Sequence, residues 1–308
     1  MKYIVTMIAA LLLMAACGQS YEETKRINRE NRREAMRRDS AALKIAVMPT
    51  LDCLPLYVAR HHRLLDTLEG GVRLKYYTAQ MDCDTALERG RVEGAVSDLV
   101  RASRMVRRGT KLRYATTTNA YWQLVSSRSA RIRQLKQLDD KMIAMTRYSA
   151  TDLLTDRVVD SVKLDGDRVF KVQVNDVLVR LLMLQNGEAD AFWMTEPQAT
   201  AARTQKNPVI ADSRSMGVQL GVIVFREQEM RRQARGKQLA LLMKAYDQAC
   251  DSINKYGIGH YRRLISECCK MSEALADSLP RTLRFHHAEG PREQDLAAVE
   301  QWIKKGGM

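Results

Sequence analysis

One stretch, residues 181–202, sets the fold class that this chain can adopt. It reads LLMLQNGEADAFWMTEPQATAA. A helix is predicted to end at Asn186-Gly187, because Gly tolerates the left-handed backbone that follows many helices. The mostly apolar residues 189–194 then predict a short strand buried on both faces of a parallel sheet. Pro197 opens the next helix, since proline is favoured at a first helical position.

The same pattern occurs earlier, in residues 86–102, which read ALERGRVEGAVSDLVRA. Gly90 follows a helix, residues 94–97 form a strand, and Asp98 starts the next helix. Two copies of one unit indicate two similar α/β lobes, although short patterns also recur by chance. Ligands of open α/β sheets bind at the carboxyl ends of the strands. Trp193 and Glu196 lie at such an end and are therefore the first candidates for contact with a small molecule.

Strands and helices alternate along most of the chain, which predicts parallel, doubly wound sheets. Strands are predicted at residues 43–48, 72–77, 94–97, 112–116, 122–126, 141–146, 169–174, 189–194 and 217–225. We expect residues 122–126 to cross between the lobes and residues 217–225 to return. Later helices are predicted at 230–256, 261–269 and 291–305.

Two helix starts in the second half carry polar caps. Ser149-Ala150-Thr151-Asp152 has the form of a capping box, and Asn175 is predicted to cap the helix that follows residues 169–174. The free N–H groups at the first of these starts can hold an anionic or polar ligand group, or they can simply be capped by Ser149.

The N-terminus predicts export from the cytoplasm. Lys2 precedes an apolar run that ends in Ala15-Ala16-Cys17. This is a secretory signal peptide, too short for a stable membrane span. Small residues before Cys17 resemble the bacterial lipobox, in which the cysteine is lipidated and becomes the mature N-terminus. An ordinary signal peptide cut near Ala16 is the alternative.

The net charge of the chain indicates a class of partner only when it is read together with the predicted signal peptide. The net charge of +14 alone is compatible with nucleic acid or an anionic membrane. Export argues against nucleic acid. Residues 21–39 carry seven basic and five acidic side chains without an apolar stripe, so we expect a solvated tether or a frayed helix.

The cysteine count fits an exported protein with at least one unpaired thiol, because five cysteines follow Cys17. Cys53 and Cys83 follow adjacent predicted strands and could be joined by a disulfide. Reduced structural thiols are the default reading for all five. Cys268 and Cys269 lie on one predicted helix and are read as core thiols, and a bridge from one of them to Cys250 is the alternative.

The order of these pieces resembles the two-lobed solute-binding proteins of ABC importers, in particular those for nitrate, taurine, alkanesulfonates and thiamine pyrimidine precursors. The match rests on residues 43–59, 86–98, 131–145 and 184–202, and on Trp302 in the last helix. The resemblance implies two doubly wound α/β lobes with a central cleft, the type 2 periplasmic-binding-protein fold. It divides the chain into a signal peptide (1–16), a charged tether (17–42), lobe 1 (43–125 plus 217–308) and lobe 2 (126–216).

By this resemblance the chain captures a small molecule between its lobes, closes by hinge motion, and delivers the molecule to a membrane permease. It would act as a monomer, anchored to the bilayer through Cys17 on the periplasmic side, without a cofactor, metal or nucleic acid. The residues carried over to the cleft are Thr50, Asp52, Cys53, Gln80, Met81, Asp82 and Asp98 in lobe 1, Asn119 and Tyr121 in the crossing region, and Tyr148, Ser149, Thr151, Trp193 and Glu196 in lobe 2.

The chemistry of this set differs from that expected for a sulfonate or nitrate site. By the resemblance, five acids would point toward one cleft and would repel an anion there: Asp52, Asp82, Asp84, Asp98 and Glu196. With Trp193, Tyr121 and Trp122 they suit a cationic or amino-bearing heterocycle, such as a thiamine-precursor-like pyrimidine, since each aromatic contact contributes roughly 0.5–2 kcal/mol. Asp84 and Asp98 equally stand where helix caps belong.

Two other functions are compatible with the same resemblance. Pyrimidine synthases and a dehydratase of the menaquinone pathway share this fold, but they need a positioned acid or base or a cofactor-bearing lysine. The predicted cleft loops contain neither lysine nor histidine, so we predict a binding protein and not an enzyme. A sensory or partner-binding lipoprotein without an importer stays open.

Overall fold

The computed structural model describes residues 21–65 and 71–306, and the chain divides at Ala42 into two compact units. The predicted signal peptide and Cys17 lie outside the described residues. The described part of the first unit is helix α1 (Tyr21–Ala41), which has no buried residue. Ion pairs one turn apart, such as Lys25–Glu22 at 3.9 Å and Arg26–Glu30 at 4.0 Å, support a helix that has no apolar face. The segment expected to be a tether or a frayed helix is therefore helical.

Ten strands are found in the described residues of the second unit, the body. In chain order they are β1 (Leu43–Val47), β2 (Val72–Tyr76), β3 (Gly94–Asp98), β4 (Leu112–Thr117), β5 (Gln123–Ser126), β6 (Lys141–Met145), β7 (Val169–Gln173), β8 (Ala191–Met194), β9 (Val209–Asp212) and β10 (Gly221–Arg226).

The strands form two five-stranded sheets. The first has the order β2-β1-β3-β10-β4 and the second the order β7-β6-β8-β5-β9. In each sheet four strands run in the same direction, and the strand that enters from the other sheet runs antiparallel to its neighbours: β10 in the first, β5 in the second. The predicted parallel arrangement therefore holds for all strands except β5 and β10, the two strands that follow the crossings between the sheets.

Helices cover the sheets. They are α2 (Leu54–His61), α3 (Gln80–Glu88), α4 (Leu99–Arg107), α5 (Ala150–Ser161), α6 (Val177–Asn186), α7 (Gln198–Thr204), α8 (Glu227–Met230), α9 (Gln233–Tyr256), α10 (Arg262–Cys269), α11 (Glu273–Ala276) and α12 (Glu293–Lys304). No described helix has both the length and the apolar character needed to cross a bilayer.

The repeated pattern read from the sequence is confirmed in detail. Gly187 and Gly90 follow α6 and α3 with φ of 71° and 67°, and Asp98 caps α4 by accepting a hydrogen bond from the backbone N–H of Arg101. Three predictions differ from the structure. Strand β9 was not predicted, β10 begins at Gly221 and not at residue 217, and α6 is capped by Asp176 and not by Asn175.

Strand β8 separates the two apolar clusters of the body by the alternation of its side chains. Phe192 and Met194 lie in a small cluster behind the second sheet. Trp193 points the other way, into the large cluster that also contains the core of the first sheet, such as Val96 on β3. The indole of Trp193 is thereby directed to the side on which the two sheets meet.

Of the two readings of the cysteines, disulfide or reduced core thiol, the described residues show reduced core thiols. All five cysteines there are free and buried. The Cys53 thiol accepts a hydrogen bond from the Met48 backbone N–H at 3.4 Å, and burial raises its pKa. Burial likewise raises the pKa of Cys83 to about 12. Thiols buried in this way are protonated and unreactive, so they act as small core side chains.

Candidate ligand-binding site

A cavity of about 30 Å³ lies between the two sheets, with residues of both sheets in its wall. We call it the inter-sheet cavity. It has room for a water molecule or two but not for a solute of several heavy atoms. Its polar lining residues are Thr50, Asp52, Gln80, Ser97, Arg101, Arg180, Thr195 and Gln198, and its apolar ones are Met48, Val96, Ala120, Trp122, Val177, Trp193 and Met194.

Backbone and side-chain hydrogen bonds across the cavity hold the two sheets together. The Gln198 amide donates to the Pro49 carbonyl at 2.8 Å, and the Leu51 N–H donates to the Glu196 carbonyl at 2.8 Å. On the α3 side, Thr78 donates its hydroxyl to the Asp176 carboxylate. Each of these hydrogen bonds contributes about 1 kcal/mol net to the contact between the sheets.

Trp193 forms part of the cavity wall and is fully buried. Its indole N–H donates to the Thr155 hydroxyl at 2.9 Å, and its backbone carbonyl accepts from the Arg180 guanidinium at 2.6 Å. The indole hydrogen bond is made within the protein. The indole N–H of Trp193 is therefore not available to the cavity.

Arg101 neutralises two of the acids that the sequence directed toward the cleft. Its guanidinium contacts the Asp84 carboxylate with Nε at 2.7 Å and lies 3.8 Å from the nearer Asp98 oxygen. It also donates to the Gln80 backbone carbonyl. Burial raises the pKa of Asp98 to about 6, although Arg101 opposes this rise. Asp84 and Asp98 are thus committed to a buried arginine.

Glu196 is also paired inside the protein. Its carboxylate accepts from the Arg203 guanidinium at 2.7 Å and from the Tyr121 hydroxyl at 3.0 Å, and its other oxygen accepts from the Thr200 N–H at 3.0 Å. Burial, followed by the neighbouring Glu196 charge, raises the pKa of Tyr121 to about 12. The face of the Tyr121 ring carries the Arg214 guanidinium 3.7 Å from the ring centroid.

Arg180 is a second buried arginine in the cavity wall, and no described carboxylate forms a salt bridge with it. Its guanidinium donates to the Thr146 hydroxyl at 2.8 Å and to the carbonyls of Trp193 and Val174, the latter at 3.2 Å from Nε. Burial lowers its pKa to about 10, so it is still charged at neutral pH. Its N–H groups are thus used by protein oxygens while its charge is not paired.

Asp52 is the carboxyl of the cavity wall that has no basic partner among the described residues. It is 9% exposed, and burial raises its pKa. The hydrogen bond that it accepts from the Thr118 hydroxyl is long, at 3.5 Å. Two amide oxygens of the same wall, Gln80 Oε1 and Gln198 Oε1, are buried without a described hydrogen-bond partner. The uncommitted polar atoms here are acceptors.

The start of α5 carries a protein carboxylate. Ser149 caps the helix by accepting from the Thr151 N–H at 3.1 Å, and the Ala150 N–H donates to Asp98 Oδ1 at 3.1 Å. Of the two readings of this helix start, cap or ligand-group site, the structure shows the cap, completed by an acid from the first sheet.

The structure brings together about half of the residues carried over from the resemblance. Thr50, Asp52, Gln80 and Trp193 line the inter-sheet cavity. A smaller cavity of about 10 Å³ beside it is lined by Asp52 again and by Asn119, Tyr121 and Glu196. The others line neither cavity: Cys53, Asp98, Ser149 and Thr151 are buried, Tyr148 is half-buried, and Met81 and Asp82 are exposed.

Sequence reasoning missed several polar residues of the cavity wall, namely Ser97, Arg101, Arg180, Thr195 and Gln198. Arg180 interrupts the apolar pattern of α6, where Val177, Arg180 and Leu184 form the buried face while Leu182 is 54% exposed. A charge on an otherwise apolar helix stripe was the available signal. Gln198 follows the Glu196-Pro197 pair directly and shares its position at the carboxyl end of β8.

Solved structures of binding proteins share this fold. The alkanesulfonate-binding protein SsuA from Xanthomonas axonopodis pv. citri, bound to MOPS, superposes with a TM-score of 0.73 at 15% identity, over 86% of this chain and 93% of that chain. The periplasmic nitrate-binding protein NrtA from Synechocystis PCC 6803 gives a TM-score of 0.71 at 12% identity, over 87% and 82%. The ligand-binding component of an ABC-type import system from Staphylococcus aureus, with zinc bound, gives 0.71 at 15%, over 86% and 91%.

No protein-family model matches the sequence, and no curated protein matches it. At identities of 12–15% the superpositions establish the fold. The superpositions thereby confirm the predicted resemblance and the predicted fold class as far as the fold is concerned. The chain has the two-sheet α/β fold of the periplasmic binding proteins.

Proposed function

We propose that this chain is an extracytoplasmic solute-binding protein that captures a small molecule in the inter-sheet cavity and delivers it to an ABC importer. One observation carries the proposal: polar acceptors of both sheets converge, buried and unpartnered, on one cavity at the carboxyl ends of the strands. The relatives in fold that bind sulfonate, nitrate or other importer ligands support the transport role.

Binding requires the sheets to separate, because a cavity of about 30 Å³ does not admit a solute. The hydrogen bonds between the sheets would break on opening and form again around the ligand. A hinge motion of this kind gives a permease two distinguishable shapes, loaded and unloaded.

For the ligand we propose a cationic or amino-bearing heterocycle, such as a thiamine-precursor-like pyrimidine. Trp193 and Trp122 supply apolar ring surface in the cavity wall. Since Asp84, Asp98 and Glu196 are paired with arginines, Asp52 is the carboxyl that remains for a positively charged group. The charges therefore favour a ligand with one positive charge or with a neutral amino group over a multiply charged cation.

We further propose that the mature chain is a monomer, held on the periplasmic side of the membrane by lipid on Cys17. Residues 17–42 would be the tether. The body would divide into lobe 1 (43–125 plus 217–308) and lobe 2 (126–216). Helix α1, polar on all sides, suits a spacer. We propose no catalytic role, since neither a lysine nor a histidine lines the inter-sheet cavity in the part of the chain that the structure describes.

A thermal-shift screen of the purified protein tests the proposal, with pyrimidines, thiamine, amines, amino acids and sulfonates as probes. A ligand at a hundred times its dissociation constant stabilises the folded state by about 2.7 kcal/mol. Val177→Phe fills the cavity and should abolish the shift. Val179→Phe, at a 45% exposed position of the same helix, is the matched control and should keep it. Equal shifts in both variants, or no stabilising solute at all, would contradict the proposal.

A further inference from the structure

The hydrogen-bonding groups of the inter-sheet cavity are unevenly distributed between donors and acceptors. Both guanidinium groups in its wall donate to protein oxygens: Arg101 to Asp84 and the Gln80 carbonyl, and Arg180 to carbonyls and to Thr146. The buried side-chain atoms of the wall without a described partner are both acceptors, Gln80 Oε1 and Gln198 Oε1. A ligand that fits this wall must itself supply N–H or O–H donors.

The orientation of Gln198 is fixed by its surroundings. Its Nε2 donates to the Pro49 carbonyl at 2.8 Å, and this bond cannot be made by Oε1 because both atoms would be acceptors. Oε1 is therefore an acceptor directed away from Pro49, on a side chain that is 3% exposed. The chain runs from Pro49 to Thr50 and Asp52, which line the same cavity, so Gln198 and Asp52 belong to one part of its wall.

The charges of the wall point to the kind of donor. Asp84 and Asp98 offset Arg101, which leaves Asp52 and Arg180 as the lining groups without a salt-bridge partner among the described residues. When all are ionised, the three carboxylates (Asp52, Asp84 and Asp98) and the two guanidinium groups (Arg101 and Arg180) carry a net charge of −1. Such a wall accommodates a ligand that is neutral, zwitterionic or singly cationic, and an anion gains no net attraction from it.

We propose that Asp52 and Gln198 form a two-acceptor subsite for an amino group of the ligand, and that this chain thereby selects amino-bearing solutes and rejects anions that lack an amino group. The inference rests on the proposed function and deepens it. Two acceptors held by the protein match the two N–H bonds of an amino group attached to a ring or an alkyl chain. Rejection of an analogue without the amino group follows, because its binding would leave both acceptors buried and unpaired.

Isothermal titration calorimetry with two matched pairs of probes tests the subsite. The pairs are 4-amino-2-methylpyrimidine against 2-methylpyrimidine, and taurine against ethanesulfonate; within each pair the compounds differ by one amino group. We expect an amino compound to bind at least tenfold more tightly than its partner. Binding of ethanesulfonate or 2-methylpyrimidine as tight as that of its amino partner would overturn the inference and leave the solute-binding role intact. Binding of no solute of any class would instead remove the proposed function.

Substitutions at the two acceptors separate a direct role from a structural one. Gln198→Met keeps the length of the side chain but removes both the acceptor and the donor to the Pro49 carbonyl, so it should weaken both compounds of a pair, and the amino compound at least tenfold more than its partner. Asp52→Asn removes the charge and should weaken the amino compound at least tenfold while leaving the weak binding of its partner unchanged. Gln205→Met, exposed beyond the end of α7, and Asp160→Asn, exposed on α5, are the matched controls. Wild-type affinity in Gln198→Met, with an unchanged melting temperature, would overturn the assignment.

Discussion

The carboxylate of Asp98 accepts a hydrogen bond from the backbone N–H of Ala150 at 3.1 Å, so an acid on the first sheet completes the N-terminus of a helix that packs on the second. The same carboxylate caps its own helix through the Arg101 N–H at 3.0 Å. One side chain thus connects two helix starts across the interface between the sheets. A negative charge at either helix start is stabilising.

Asp98 is expected to make stability depend on pH. Its pKa of about 6 in the folded state lies above 3.8, its ordinary value, so the folded protein holds a proton that the unfolded chain has released. The free energy of unfolding should therefore fall as the pH rises from about 4 to about 6, by about 3 kcal/mol. The raised pKa of Asp52 contributes in the same direction. Asp98→Asn should flatten this slope in thermal unfolding at a series of pH values. A slope equal to that of wild type, with Asp160→Asn as control, would show that Asp98 does not carry the effect.

Trp193 is expected to contribute mainly to stability. It is fully buried and its indole N–H is bonded to Thr155. Trp193→Ala should lower the free energy of unfolding by about 3–5 kcal/mol through the loss of buried apolar surface and the cavity that remains. Trp193→Phe should cost less and still bind ligand, because the ligand contacts the apolar face. Urea unfolding monitored by circular dichroism measures the loss of stability in each variant. A stable, fully folded Trp193→Ala protein would place this indole outside the core.

The contact between Thr78 and Asp176 is expected to favour the closed arrangement of the sheets. Thr78 donates to the Asp176 carboxylate, and the Thr78 carbonyl accepts from the Val177 N–H at 3.1 Å. Thr78→Val removes the hydroxyl but keeps the shape of the side chain. Small-angle scattering should then show a larger radius of gyration without ligand, and the ligand affinity should fall about five- to tenfold. Thr110→Val, at the turn between α4 and β4, is the control; equal behaviour of the two variants would exclude a role in closure.

Cys17 is expected to carry the lipid. Replacement by alanine removes the thiol that the lipobox reading requires, so Cys17→Ala should move the protein from the detergent-soluble membrane fraction to the periplasmic fraction. Intact-mass measurement of the wild-type protein should show a diacyl addition on an N-terminal cysteine. A wild-type mass that corresponds to cleavage near Ala16 without lipid would support an ordinary signal peptide instead.

The sequence was sufficient for most elements of the fold because their signals are local. Gly187 and Gly90 terminate helices through their own backbone freedom, and short apolar runs such as residues 94–97 can be recognised without knowledge of their neighbours. Strand β9, in contrast, is half-buried along its length and lies at the sheet edge beside β5, and its apolar run, residues 209–211, is only three residues long, which is too short to identify a strand by itself. The direction of β5 and β10 depends on the path of the chain between the sheets, which no local pattern encodes.

The candidate site was harder to predict because its chemistry depends on pairing. The sequence predicts that five acids share one cleft, but the structure places Arg101 against Asp84 and Asp98, and Arg203 against Glu196. These arginines stand one turn or more from their partners, on helices that the sequence presents as ordinary amphipathic segments. Charge that is visible in the sequence is thus not the same as charge available to a ligand. Asp52 is the acid whose charge is visible in the sequence and is also left unpaired in the cavity wall.

The most direct test of the account is a crystal structure of the protein with an amino-bearing solute that stabilises it in the thermal-shift screen. The account predicts the solute between the two sheets, with its amino group within hydrogen-bond distance of Asp52 and of Gln198 Oε1 and its ring or chain against Trp193. A solute bound elsewhere on the body, or bound in the cavity with an anionic group on Arg180 and no contact to Asp52 or Gln198, would contradict it.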